Sequence, residues 1–392
     1  MAKIAIESTP NYFNANLIQL PASKSISNRA LIIQAFNPNI VLENLSEADD
    51  TQYLRQALFT NDGTDKYVGL AGTTLRFLMV FYALSPNRSV KLITEKGLFT
   101  RPIQPLIEAL KSLGATIDSF NDSETCGYTI MGVKNTQRSI TISASQTSQF
   151  ISALLLCSPY CGIQEIEIQD NVVSKHFIEL TLSMMSYFGV HSSWQGNKIH
   201  INVGQVYKSM PLRIDTDANA NGYIQSLSAV VNNTSLFENN SIFYQPDSAF
   251  IQLANQLIAG QATEFNMANL PDSIMTMVCL AARLQKEIMI TGTETLGNKE
   301  SKRDEMLQLE LTKLNYRVEI DSNYISLSIP KKLSEGSLIL NSHSDHRLSM
   351  SFALLTNFPS KIYVDNYKNV SKSFPEFWQQ LEIAGFTFEY KE

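Results

Sequence analysis

Six times along this chain, a segment with helical apolar periodicity ends at a glycine or asparagine and passes straight into an alternating apolar and polar run. The closures fall at Gly63, Gly114, Gly189, Gly260, Asn315 and Gly385, between 51 and 75 residues apart. Gly or Asn suits such places because the residue past the last helical turn often adopts a left-handed conformation that a Cβ disfavours. Each closure therefore predicts a helix handing over to a strand. Units of this length are too long for a short solenoid repeat and predict an α/β fold assembled from supersecondary blocks.

Between the closures lies a second set of predicted helices at 73–84, 148–159, 220–231, 272–284 and 345–355, apolar almost all round after a polar or charged start. Such helices belong in the middle of a domain, with only their N-termini reaching a site. At 392 residues the chain exceeds the size at which one hydrophobic core stops growing, so two domains are expected. The boundary is placed near 208–220, where Pro211 interrupts and a new unit begins.

A formal net charge of −6 gives no electrostatic footprint for nucleic acid or an acidic membrane surface. Any anion site must be local. Cys126, Cys157, Cys161 and Cys279 form no CxxC pair and predict buried thiols in a reduced, cytoplasmic protein, with no metal site. The first residues, MAKIAIESTP, lack the apolar core of a signal peptide, and no apolar run reaches membrane-spanning length.

The chemistry collects at predicted helix starts. PASKSISNRALIIQAF (21–36) is read as a short strand running into a helix, with Lys24, Ser25, Ser27 and Arg29 beside backbone N–H groups that have no partner within the helix. A capped surface helix would look much the same. Arg76, Arg101, Lys175, Lys299, Arg303, Arg347 and Lys372 occupy similar junctions, which implies a ligand bearing several negative charges. Neither GxxxxGK[ST] nor GxGxxG is present, so no nucleotide loop is indicated. Asp272, Glu300 and Asp345 sit among the cations, where a carboxylate can serve as acid or base. For Asp272 and Asp345, helix capping is the competing role; His346 is either a hydrogen-bond donor or structural.

Taken in order, LPASKSISNRA, AGTTLRF, RPIQPLIEAL, TSQFISALLL, VSKHFIELTL, PDSIMT, NKESKRDEM, SDHRLSMSFALL and SKSFPEF resemble the enolpyruvylshikimate phosphate synthase family, across nearly the whole chain. The resemblance implies a two-domain inside-out α/β barrel of six βαβαββ units, three per domain. One domain would span 20–214 and carry most shikimate 3-phosphate contacts; the other would comprise 1–19 plus 215–392, with the active site in the cleft between them. It also implies a monomer that transfers the carboxyvinyl group of phosphoenolpyruvate to shikimate 3-phosphate, without metal or organic cofactor, and that glyphosate inhibits.

By match to the family motifs, Lys24 should contact both substrates and join Asp272, the proton acceptor, and Glu300, the proton donor, in catalysis. Ser25, Arg29, Thr147, Ser148, Ser174, Thr295 and Lys299 should hold shikimate 3-phosphate along with Asp272, while Gln149 bridges the two substrates. Gly72, Arg101, Arg303, Arg347 and Lys372 should hold phosphoenolpyruvate, whose two anionic groups suit forked guanidinium donors. The chain departs from the family at Ala22, Leu70, Gly97, Thr147, His176, Phe177, Asn219, Ala220, Thr295, Lys302 and Ser344. Those changes fall mainly on the shikimate side. They leave open a protein that binds without turnover, or a UDP-sugar as acceptor. Against the latter, 92–102 lacks the mobile-loop cysteine of the cell-wall relatives.

Overall fold

The computed structural model describes residues 2–60, 63–232, 241–355 and 359–391. The chain divides into two compact units, Ala22–Asp215 and Met1–Pro21 with Thr216–Glu392. Four four-stranded sheets among the described residues share one topology.

In Ala22–Asp215 the first sheet runs, in spatial order, Asp65–Gly69, Ser89–Thr94, Cys126–Met131 and Thr116–Asn121. The leading pair is parallel and the others are antiparallel. Ser139–Ile142, Glu165–Ile168, Lys198–Ile201 and Ser192–Gln195 repeat the pattern. A parallel pair of Leu42–Glu43 with Leu212–Arg213 completes the strands described there.

The other unit builds the same order from Glu264–Asn266, Ile288–Thr291, Tyr324–Ser328 and Arg317–Ile320. Its second sheet runs Gly336–Leu340, Ser360–Asp365, Lys3–Ser8 and Thr387–Lys391. Here the N-terminal strand fills the third place, which is why the first residues belong with the last.

This topology explains the two helix classes. A parallel pair requires a crossover, and the crossovers are the continuously apolar helices Gly72–Ala83, Gln149–Cys161, Ile274–Arg283 and His346–Phe352, the last extended by a 3₁₀ turn, Ala353–Leu355. Nine of the ten residues of Ile274–Arg283 are buried. Helices preceding the hairpins are one-faced: Gln104–Ser112 buries only Leu106, Ile107, Ala109 and Leu110. All six closures carry positive φ, from 70° at Gly260 and Asn315 to 98° at Gly114. Asn61 and Asp62, between the helix Asp49–Phe59 and Gly63, lie outside the described residues.

One local expectation needs correction. No strand leads into the helix Lys24–Phe36; Ala22 is an isolated bridge residue, and Pro21 before it has no N–H to contribute to a ladder. Ser23 caps the helix by accepting from the Ile26 N–H at 3.5 Å, so Lys24 and Ser25 lie in its first turn.

Candidate functional site

Two polar clusters form at the N-termini of the buried helices, one in each unit. A crossover helix starts where its parallel strand ends, so its first turn sits at the edge of the core with unpaired N–H groups available.

In Ala22–Asp215, Lys24 lies 3.4 Å from Asp50, whose carbonyl accepts from Thr74 Oγ1 at 2.6 Å. Gly72 opens its helix facing two guanidinium groups: a Cβ there would stand 2.8 Å from Arg76 Nη1 and 3.4 Å from Arg101 Nη1. Arg76 in turn donates to Gln149 Oε1 at 2.8 Å and to the Pro102 carbonyl at 3.2 Å. Arg76, a residue singled out by its position but assigned no ligand, thus stands between Gln149 and Gly72, with Arg101 on Gly72 as well. Thr147 Oγ1 accepts from the Gln149 N–H at 3.2 Å, and Ser148 precedes the helix, 3% exposed.

Arg29 is 3% exposed, one turn along its helix. Nε donates to Thr181 Oγ1 (2.8 Å), Nη1 to the Ser25 carbonyl (2.9 Å), and Nη2 to the Phe177 carbonyl (3.0 Å) and Ser152 Oγ (3.3 Å). The guanidinium also lies over the Phe77 and Phe177 rings. Burial among neutral groups pushes it down to about 9, still charged at neutral pH. Ser174 takes a positive φ of 52° just before the helix His176–Tyr187. Lys175 turns away to the surface, 3.7 Å from Glu179 and over the Trp194 ring.

In the second unit the cluster is organised by Arg303, 1% exposed at the start of the helix Arg303–Thr312. Nε donates to Asp345 Oδ2 at 2.7 Å, Nη1 to Asp272 Oδ1 at 2.7 Å, and Nη2 to Glu300 Oε2 at 2.8 Å. One guanidinium therefore links three carboxylates. Arg347 approaches Asp272 Oδ2 at 2.9 Å, Lys299 approaches Asp272 Oδ1 at 3.4 Å, and Lys372 approaches Glu300 Oε1 at 3.0 Å. Four cations face three carboxylates in this shell, a small positive excess.

Burial alone would raise the Asp272 carboxyl, but Arg347, Lys299 and Arg303 hold it well below the usual carboxylate range. Burial would lower Arg303, yet Asp345, Glu300 and Asp272 raise it. The competing capping roles now separate. Asp345 caps the helix His346–Phe352, accepting from the Arg347 N–H at 3.0 Å, whereas Asp272 makes no cap bond and pairs with the cations. Thr295 Oγ1 is buried and has no hydrogen-bond partner among the described residues.

Sequence reasoning assigns no role to Asn219 or Asp247. Asn219 Oδ1 accepts from Arg347 Nη1, while its Nδ2 donates to Asp247 Oδ1 at 3.1 Å and Ser273 Oγ at 2.8 Å. Burial, followed by the neighbouring Asp272 charge, raises Asp247 to about 6. In the sequence Asn219 stands out only as a departure from the family pattern. No group of three or more His, Cys, Asp or Glu side chains among the described residues is arranged to hold a metal ion, and no described helix is long and apolar enough to cross a membrane.

The family model for EPSP synthase (3-phosphoshikimate 1-carboxyvinyltransferase) matches residues 54–381. A 3-phosphoshikimate 1-carboxyvinyltransferase of Bacteroides fragilis strain ATCC 25285 is 34% identical over 415 aligned residues, covering 98% of each chain. That of Bacteroides fragilis strain YCH46 is 32% identical, again with 98% of each covered. A solved EPSP synthase from Acinetobacter baumannii superposes with a TM-score of 0.70 over 100% of both chains at 17% identity, a likeness of fold.

Proposed function

The chain belongs to the EPSP synthase family, and from that premise we propose that it transfers the enolpyruvyl group of phosphoenolpyruvate to the 5-hydroxyl of shikimate 3-phosphate, with release of phosphate. It is a transferase of aromatic biosynthesis. The observation that carries the assignment of roles is the Arg303 hub, which brings Asp272 and Glu300 to one buried cation.

In this reading Glu300 delivers a proton to the methylene carbon of phosphoenolpyruvate. The acceptor hydroxyl bonds to the adjacent carbon and passes its proton to Asp272. The Glu300 carboxylate then takes back a methyl proton as phosphate departs with the proton held by Asp272, which restores the double bond and both carboxyl groups. While Arg347, Lys299 and Arg303 face Asp272, its carboxylate is ionised but a weak base. An anionic substrate engaging Arg303 and Arg347 competes for those cations. Asp272 then becomes more basic at the step where it must accept a proton.

Arg303, Arg347 and Lys372, with Gly72 and Arg101 from the other unit, are the proposed phosphoenolpyruvate ligands. Lys24 and Gln149 serve both substrates. Ser25, Arg29, Thr147, Ser148, Ser174, Thr295 and Lys299 join Asp272 in holding shikimate 3-phosphate. The unpartnered Thr295 hydroxyl supports its place in that set. Most shikimate contacts thus come from Ala22–Asp215, and the acid and base from the other unit. On the same premise we propose three βαβαββ units per domain, arranged inside-out, in a monomer; four sheets of one topology, two in each unit of the chain, support four of the six.

Mass spectrometry of the product tests the acceptor. Phosphoenolpyruvate with shikimate 3-phosphate is expected to give the enolpyruvyl ether, abolished in Glu300→Gln; transfer to a UDP-sugar instead would overturn the assignment.

A further inference from the structure

The turn that carries Asp345 and Arg347 is built in an unfavourable conformation. His343 and Ser344 are consecutive non-glycine residues in the left-handed region, with φ of 51° and 59°. Such residues persist only where the surroundings over-determine them, since each costs on the order of 1 kcal/mol or more.

The surroundings here centre on Glu310, whose side chain is 1% exposed. Its Oε2 accepts from the Asn341 N–H at 2.7 Å and from Lys313 Nζ at 2.5 Å, and its Oε1 lies 2.9 Å from His343 Nε2. Asp365 Oδ1 takes the next N–H, that of Ser342, at 2.6 Å. Asn341 Oδ1 accepts from the His343 N–H at 2.6 Å, and the Ser342 carbonyl accepts from the Asp345 N–H at 2.8 Å. Glu310 lies two helical turns beyond Arg303 on the same helix. The helix is consequently fastened to the turn twice: Arg303 holds Asp345 at one end, and Glu310 holds Asn341 and His343 at the other.

We propose that Glu310 is a positioning residue for the transfer reaction, fixing the left-handed 341–344 turn so that Asp345 orients Arg303 and Arg347 presents its guanidinium to the phosphoenolpyruvate anion. This rests on the reading of Arg303 and Arg347 as phosphoenolpyruvate ligands. A carboxylate that served stability alone would weaken both substrates equally or neither. Glu310 acts on one side only.

The test compares wild type, Glu310→Gln, Glu310→Gln with Ser344→Gly, and His343→Ala. Steady-state kinetics is paired with calorimetric titration of phosphoenolpyruvate in the presence of shikimate 3-phosphate, each protein carrying Glu300→Gln in the titration so that no turnover adds heat. Glu310→Gln is expected to raise KM and Kd for phosphoenolpyruvate roughly tenfold while leaving KM for shikimate 3-phosphate within about twofold. Glycine at 344 favours the left-handed turn by itself and should return phosphoenolpyruvate affinity to within about threefold of wild type. His343→Ala, which spares the Asn341 bond, should raise the same constants about threefold, and it carries the test if Glu310→Gln does not fold.

Unchanged phosphoenolpyruvate constants in a folded Glu310→Gln, or in His343→Ala where Glu310→Gln does not fold, would overturn the proposal. So would equal losses for both substrates, or a defect that glycine at 344 fails to relieve. A wild type that binds phosphoenolpyruvate without turnover would contradict the proposed function instead, leaving the calorimetric arm to decide on Glu310.

Discussion

Arg29, in the second turn of its helix, and Arg303, at the start of its own, are both buried guanidinium groups, yet their surroundings are opposite. Arg29 is surrounded by hydroxyl and carbonyl oxygens, and burial lowers it. Arg303 is bound by three carboxylates, which raise it despite equal burial. A buried charge without a counter-ion is costly until an anion arrives, whereas a charge neutralised by its neighbours is part of the scaffold. The first therefore suits recognition of a phosphate. The second suits holding an acid and a base at a fixed separation until phosphoenolpyruvate competes for the same cation.

The largest expected effect breaks this comparison most cleanly. Arg303→Met leaves the buried Asp345 and the half-buried Asp272 and Glu300 without their shared cation and should cost about 3–5 kcal/mol of ligand-free stability. Arg29→Met removes an uncompensated charge, and Thr181 Oγ1 still donates to the Phe177 carbonyl at 2.8 Å. It should stay within about 1 kcal/mol of wild type while losing shikimate 3-phosphate binding. Urea unfolding and calorimetry read the two quantities. Equal stability losses would show that the environments do not differ in energy as they do in geometry.

Next in size is Asn219, the amide between Arg347 and Asp247. Asn219→Ala should raise KM for phosphoenolpyruvate about three- to tenfold with little change in kcat, by freeing Arg347 from its preset orientation. A fall in kcat at constant KM would place Asn219 in the proton transfers instead.

The smallest effect concerns pH. Asp247, at about 6, holds a proton in the folded protein that the unfolded chain has already released, so its contribution to stability is lost as pH rises through 6. Asp272 has the opposite sign: its contribution is present above the ordinary carboxylate range and is lost as pH falls through its depressed value. Melting temperatures at pH 5 and pH 8 should therefore differ less in Asp247→Asn than in wild type. An unchanged difference would show that Asp247 is not the group responsible.

Much of the fold was legible because helix termination is a local event: a left-handed residue often follows the last turn, and Gly or Asn marks it. Continuous apolar runs likewise picked out the four crossover helices, and the same signal at 220–231 marks Ala218–Asn232, which joins no described parallel pair. The strand before Lys24 was misread because basic and hydroxyl residues mark the helix start but say nothing of ladder partners. Lys175 does stand at a helix start, but its ammonium lies by Glu179 and Trp194, because a junction position does not fix where a long side chain points. Glu310 gave no signal at all. Within RDEMLQLELTKLN it reads as one more charge on a solvated helix, and only the tertiary approach of Asn341 and His343 makes it a buried acceptor. Asp247 was silent for a similar reason, being brought to Asn219 by the fold rather than by sequence neighbours.

Phosphate release by the purified protein tests the central claim most directly, with each substrate alone and with both together, in wild type and Glu300→Gln. Release that requires both phosphoenolpyruvate and shikimate 3-phosphate, and falls at least about a hundredfold in the variant, is the predicted result. Release from phosphoenolpyruvate alone, or undiminished release in Glu300→Gln, would contradict it.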